Sequence, residues 1–297
     1  MPNLREAYLR HAQFYQTVLQ SANDLYLQGG QRVQQGLMMI DWDWVNIQAG
    51  EVWAETQVEK DDRLAELGSD YLVASIRIVA LRLPLKEQSR WLQVALGAAR
   101  RMKDRFAEGV HRGNLGIVFR KLGHYQEAID CFQNALAIAR EIGDRENEGN
   151  WLGNLGNVYS DLMEHGQALE YHQQGLAISR ERGDKRGESL HLLNIGNVSL
   201  DLGEFDLAAE FFEQSLDIAR ESGYKLEESN ALSGIGCVYE GMLLLEHALE
   251  YFQNALTINR ELHDRYGEEI DLNNMGNVYF KLGQYDNAID CYKQALT

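Results

Sequence analysis

The sequence predicts an all-α fold, a right-handed α-α superhelix built from stacked antiparallel helix pairs. Three observations predict it. From Leu115 onward a pair ending in glycine returns every 40 residues, at Leu115-Gly116, Leu155-Gly156, Ile195-Gly196, Ile235-Gly236 and Met275-Gly276. A fixed period in this range marks a solenoid whose units bury their apolar faces only by stacking on neighbours. Apolar residues also recur at helical spacing in both halves of each repeat. Finally, proline is confined to Pro2 and Pro84, so helices can run without the lost hydrogen bond and steric clash that proline brings.

The elements follow in order. Residues 1–60 form a helical leader: a helix from Leu4 to Leu27, a break at Gly29-Gly30, and a second helix ending near Thr56. Trp42, Trp44 and Trp53 are expected to pack this pair onto the stack. Residues 61–103 read as a degenerate unit. Its second half, with Ala95, Leu96 and Arg100, aligns one period before Ala135, Leu136 and Arg140, while its first helix, over residues 64–83, lacks the leucine-glycine pair. Five units then follow at 104–143, 144–183, 184–223, 224–263 and 264–297, the last one shorter.

Within a unit, the columns explain the packing. Gly116, Gly156, Gly196, Gly236 and Gly276 leave space on the first helix, and Ala128, Ala168, Ala208, Ala248 and Ala288 leave space on the second. Phe119, Tyr159, Tyr239 and Tyr279 from the first helix fill the gaps, with Phe132, Phe212, Phe252 and Tyr292 from the second. Gly143 and Gly183 stop the second helix as C-terminal glycines. Asp104, Asp144, Asp184 and Asp264 open the next first helix as N-caps.

These columns resemble the tetratricopeptide repeat (TPR): a leucine-glycine pair, an aromatic three residues on, then alanine, aromatic and alanine on the second helix. The ordinary repeat has about 34 residues and a closing proline. Here Arg140, Arg180, Arg220 and Arg260 hold the proline's column, so the second helix runs on. The extended pattern is similar to the repeats of LGN/Pins adaptors, kinesin light chains and many bacterial regulators. It covers residues 104–297. The GoLoco motifs of the LGN/Pins family are not visible, so its G-protein function is not carried over. The leader, with Arg10-His11-Ala12-Gln13-Phe14-Tyr15, Asp41-Trp42-Asp43-Trp44-Val45-Asn46-Ile47 and Trp53-Ala54, resembles a segment of STAND-type (NB-ARC) signalling ATPases that joins the ATPase part to a repeat array. No Gly-x-x-x-x-Gly-Lys-Ser/Thr loop occurs, so this chain is not itself the ATPase. The shortened last unit makes a fragment of a longer protein a natural expectation.

The resemblance implies that first helices line a concave binding face. Two columns stand out there. Asn114, Asn154, Asn194 and Asn274 form one, broken at Gly234. Asn157, Asn197 and Asn277 form the other, with Ile117 and Cys237 as exceptions. Spacings of three and four place both columns on one helical face. Each amide offers a donor and an acceptor, which suits the backbone of an extended peptide. The resemblance to LGN-like and kinesin-light-chain-like groove readers assigns these seven asparagines to a ligand main chain. The bland alternative is a ladder of bonds along their own helices or to neighbouring repeats. The columns where some TPR modules place carboxylate-clamping lysines and arginines hold Val110, Asn150, Leu190, Asn230, Ile270, Gly113, Gly153, Leu193, Ser233 and Asn273, none of them basic. The rim is mixed, with Arg120, Lys121 and Lys281 beside Asp161, Asp201 and Glu240.

Two further ladders read as structural. Glu108, Glu148, Glu188, Glu228 and Glu268 each lie three residues after Arg105, Arg145, Lys185, Lys225 or Arg265, the pairing of a solvated helix face. The arginine column from Arg100 to Arg260 is expected to bond helix ends or acidic neighbours.

Other classes of function find no support. With 45 acidic against 28 basic side chains the net charge is −17, which disfavours nucleic acid and anionic membrane surfaces. Cys131, Cys237 and Cys291 lack metal-ligand or pairing spacing, as expected of a reducing cytoplasm. His165 and His172 read as packing residues, and no catalytic constellation, cofactor motif or metal site is expected. The sequence thus points to a protein–protein interaction scaffold. Its partner is a protein or peptide, or another domain of the same parent chain, and the runner-up is a ligand-sensing or autoinhibitory region of a STAND-type protein.

Overall fold

The computed structural model describes residues 4–28, 31–57, 67, 78 and 81–296. The described residues form thirteen helices. They are α1 (Leu4–Leu27), α2 (Gln31–Gln57), α3 (Leu85–Met102), α4 (Arg105–Lys121), α5 (Tyr125–Ile142), α6 (Arg145–Asp161), α7 (His165–Arg182), α8 (Lys185–Asp201), α9 (Phe205–Ser222), α10 (Lys225–Gly241), α11 (Leu245–Leu262), α12 (Arg265–Lys281) and α13 (Tyr285–Ala295). The first helix expected of the degenerate unit, over residues 64–83, lies almost wholly outside the described residues. The chain divides into two compact units, Met1–Asn147 and Glu148–Thr297.

In the first unit, α1 pairs with α2, α3 packs on α4, and α4 pairs with α5. Ala12, Leu19, Ala22, Ile40, Ile47 and Ala54 share a core with Trp91, Leu92, Ala95, Leu115 and Val118. Trp44 stacks on Trp91 with ring centroids 6.4 Å apart, and Trp53 stacks on Tyr8 at 6.1 Å. Trp42 does not pack as expected: it is 78% exposed. It lies on the side of α2 opposite the buried Ile40 and Ile47, so the helix period carries it away from the core.

In the second unit, α8 pairs with α9, α10 with α11 and α12 with α13, and each second helix also packs on the next first helix. The glycine column works as the sequence predicts. A Cβ on Gly116 would lie 2.8 Å from the Phe132 ring, on Gly196 2.7 Å from Phe212, and on Gly236 2.6 Å from Phe252. Gly156 meets His172 instead, at 2.6 Å.

The caps hold too. The carboxylates of Asp104, Asp184 and Asp264 accept from the backbone N–H of Ala107, Gly187 and Gly267, and Asp144 accepts from Asn147. Gly143, Gly183 and Gly223 end second helices at φ between 68° and 73°, the left-handed region that glycine enters without steric penalty.

The glutamate column departs from expectation. Glu108, Glu148, Glu188 and Glu228 are buried at 6–7% exposure, not solvated. Arg180 Nε donates to Glu188 at 2.8 Å, Arg220 to Glu228 at 3.2 Å and Arg100 to Glu108 at 3.1 Å. The same carboxylates accept from Lys185, Lys225 and Arg105 at 2.9, 2.7 and 2.6 Å. The two ladders therefore merge: Arg100, Arg180, Arg220 and Arg260 each reach eight residues forward, across the joint between a second helix and the next first helix. The cations outweigh burial and hold the Glu108, Glu188 and Glu228 carboxyls below their ordinary value.

Candidate peptide-binding face

The asparagine columns sit on first helices, and the second unit carries six of the seven. Asn154 and Asn157 lie on α6, Asn194 and Asn197 on α8, Asn274 and Asn277 on α12. α10 touches both α8 and α12, so these helices lie side by side. α6 meets α8 where Gly153 faces the His191 ring, a Cβ there falling 3.0 Å from it. Asn114 lies on α4 in the first unit.

The seven amides divide. Asn154 Nδ2 donates to the Asn150 carbonyl at 2.8 Å, along its own helix. Asn277 Oδ1 accepts from the Tyr292 hydroxyl at 2.8 Å. Asn274 Nδ2 approaches Cys237 Sγ at 3.9 Å, in the preceding helix pair. These three fit the ladder alternative in part. Asn114, Asn157, Asn194 and Asn197 make no side-chain hydrogen bond to another described residue, and none is buried. Leu190 and Ile270, four residues before Asn194 and Asn274, are 41% and 39% exposed. The face thus offers amides and aliphatic side chains together. At its rim Lys281 Nζ pairs with Glu240 at 2.8 Å.

The break in the columns has a cause that the sequence concealed. A Cβ on Gly234 would lie 2.6 Å from Phe212, whose ring also covers Gly196. One phenyl fills the place an asparagine would need. Around the break lies a buried polar network. Ser233 Oγ donates to Asp271 Oδ1 at 2.5 Å, and Asn259 Nδ2 donates to Asp271 Oδ2 at 2.8 Å. Asp271 is fully buried, and burial pushes its carboxyl up to about 6. Glu51, Glu108, Glu188, Glu227 and Glu228 are also buried, but each faces a cation. Burial pushes the nearby Cys237 thiol up to about 12, so it carries no thiolate at neutral pH.

Of the two imidazoles buried beneath the face, His172 packs as the sequence led one to expect, whereas His191 was not foreseen. His172 takes the aromatic column's place, and His191 stands 6.0 Å from it with the rings tilted by 58°. Gly153 and Gly175 give His191 its room. Burial holds its imidazole down to about 4, so it is neutral at pH 7. The gap left between Phe132 and Phe212 by a histidine was the available signal. Among the described residues no group of three or more His, Cys, Asp or Glu is placed to hold a metal ion. No described helix is long and apolar enough to cross a membrane.

Helix pairs with small columns set against aromatic ones, capped and joined every 40 residues, define a repeat solenoid. The tetratricopeptide repeat profile matches residues 107–181, 188–261 and 271–297, more than half of the sequence, and the chain belongs to this family. No curated protein matches it in sequence.

Solved structures share the fold at low identity. BtubC (BKLC) from P. vanneervenii is 21% identical with a TM-score of 0.61, over 72% of this chain and 90% of that one. A Rap protein complexed with competence and sporulation factor is 15% identical with a TM-score of 0.64, over 98% and 76%. The STAND protein with a tetratricopeptide repeat sensor from Pyrococcus horikoshii is 16% identical with a TM-score of 0.61, over 96% of this chain and 45% of that one.

Proposed function

We propose that this chain is a protein-interaction scaffold that binds a peptide or helical segment on the first-helix face of its second unit. The observation that carries this reading is the set Asn157, Asn194 and Asn197. Their amides stand in register on adjacent helices, partly or fully exposed and without hydrogen-bond partners among the described residues, beside exposed Leu190. An unpartnered amide can pair with a ligand's main chain without breaking a bond already made. Asn114 holds the same repeat position in the first unit, while Asn154, Asn274 and Asn277 contribute only the capacity their internal bonds leave. The Rap protein complexed with competence and sporulation factor supports the reading, as a molecule of this fold that holds such a factor. The role needs no cofactor and is not enzymatic, and it suits a cytoplasmic protein.

A pull-down from source lysate tests it, comparing the chain with Asn157→Ala/Asn194→Ala/Asn197→Ala and with Asn277→Ala as control. A protein held by the wild type and the control but lost by the triple variant, with unchanged circular dichroism, is the expected result. A protein held equally by all three sinks the amide reading.

The STAND sensor supplies a second reading, since nearly the whole of this chain aligns with part of that protein. There the same face holds a ligand or another domain of the parent chain. A phosphate-binding Gly-x-x-x-x-Gly-Lys-Ser/Thr loop upstream in the parent reading frame is what this reading requires.

A further inference from the structure

Helix α2 is apolar on two opposite sides. One side, with Ile40, Ile47 and Ala54, is buried in the core of the first unit. The other carries Met38, Trp42, Val45, Ala49 and Val52, spaced alternately by four and three, the period of a helix-on-helix seam. Trp42 and Val45 are 78% and 77% exposed, Met38 and Val52 are 49% and 47%, and Ala49 is exposed as well. No charged residue falls within the stripe. A helix apolar all round is ordinarily enclosed. The second helices of the repeats, by contrast, turn Asp130, Glu170, Glu210 and Glu250 to solvent.

We propose that this stripe is an interface with the same stripe of a second copy, the two α2 helices running antiparallel about a two-fold axis at Val45. Two observations select a second copy over a foreign partner. The first is the order of sizes. An antiparallel two-fold at Val45 sets the large Trp42 against the small Ala49 of the other copy, and Met38 against Val52. Every such contact then occurs twice, as in an isologous interface. A parallel pairing would instead drive indole onto indole.

The second observation is charge. A chain of net charge −17 repels its own copy wherever two acidic surfaces meet. The carboxylate that flanks this stripe most closely, Asp41, already has its own cation, whereas the α2 glutamates farther round the helix share one with Glu87. Arg82 donates to both oxygens of Asp41, at 2.6 and 3.0 Å, and Arg90 pairs with Glu55 and Glu51. Tyr8, stacked on Trp53 and 48% exposed, adds an apolar shoulder.

Sedimentation equilibrium of the full chain, run up to about 100 µM, reads the dissociation constant of the pair. The expected result is a dimer that either Trp42→Ala or Ala49→Trp weakens by about tenfold or more. Circular dichroism should be unchanged, because both positions are exposed. The double variant Trp42→Ala/Ala49→Trp restores one indole facing one methyl on each side of the axis, and so recovers most of the affinity. A folded monomer at every concentration overturns the proposal. So does a dimer indifferent to the single variants, or one that the double variant fails to rescue.

Discussion

His172 and Phe212 occupy the same station on successive second helices of the second unit, and they fill it differently. Phe212 reaches two first helices with one phenyl, lying against Gly196 on α8 and Gly234 on α10. His172 lies against Gly156, and a second imidazole, His191, is needed to cover Gly153 and Gly175. The glycines set the volume, and either filler satisfies it. What differs is the coupling to solvent. A phenyl ring is indifferent to pH, whereas burial keeps the His191 imidazole neutral at pH 7. The repeat therefore fixes shape, while the choice of ring decides which joint responds to acid.

Six single substitutions break or sharpen this contrast. Phe212→Ala is the largest, with an expected loss of about 4 kcal/mol by urea denaturation, because a fully buried ring leaves a cavity on two helices. His172→Ala should cost clearly less, since removing the imidazole also relieves the burial of its polar nitrogens.

Acid comes next. The His191 imidazole takes its proton near 6.5 when unfolded and only near 4 when folded. The unfolded chain thus binds more protons in that window, and stability present above pH 6.5 is lost as pH falls toward 4. The loss is on the order of 3 kcal/mol from this ring alone. His191→Leu should flatten that part of a stability-versus-pH curve, and an unchanged curve would remove the imidazole from the account.

Gly234→Asn restores the interrupted asparagine column and should cost about 2 kcal/mol, because the new Cβ meets the Phe212 ring. Combined with Phe212→Leu its penalty should shrink.

Asp271 carries the opposite sign. Its folded carboxyl stands near 6 against an ordinary 3.8, so the stability it contributes is complete below pH 3.8 and lost as pH rises through 6. Asp271→Asn should stabilise by about 1–2 kcal/mol at pH 8, with no gain at pH 3.5. Asn259 Oδ1, buried without a partner, can then accept from the new amide.

The smallest effect concerns the turns. Gly123, Gly203 and Gly283 turn at φ of 74–75°, while Met163 and Leu243 hold the same place at 59° and 60°. Leu243→Gly should add at most about 1 kcal/mol by relieving a left-handed backbone.

These outcomes show what a single sequence can carry. The helix pairs, the glycine stations and the aspartate caps were legible because each obeys a rule confined to a few neighbouring residues. Burial of the glutamate column was not: an i,i+3 pair resembles a solvated face until the arginine eight residues earlier is placed beside it. Trp42 was misread because its neighbours Trp44 and Trp53 do pack, and one step around the helix reverses direction. At the candidate face the asparagines were legible as columns. Their division into bonded and open amides depends on Tyr292, Cys237 and the Asn150 carbonyl, which no spacing rule connects to them.

The span of eight residues between each arginine and its glutamate has a kinetic meaning. Arg180 with Glu188, and Arg220 with Glu228, join consecutive helices across a turn of two residues, so little chain must be searched to find the partner. Low contact order of this kind favours rapid folding that can begin at any pair and spread. On the ribosome, each joint can close almost as soon as its glutamate emerges, before the next pair has been synthesised.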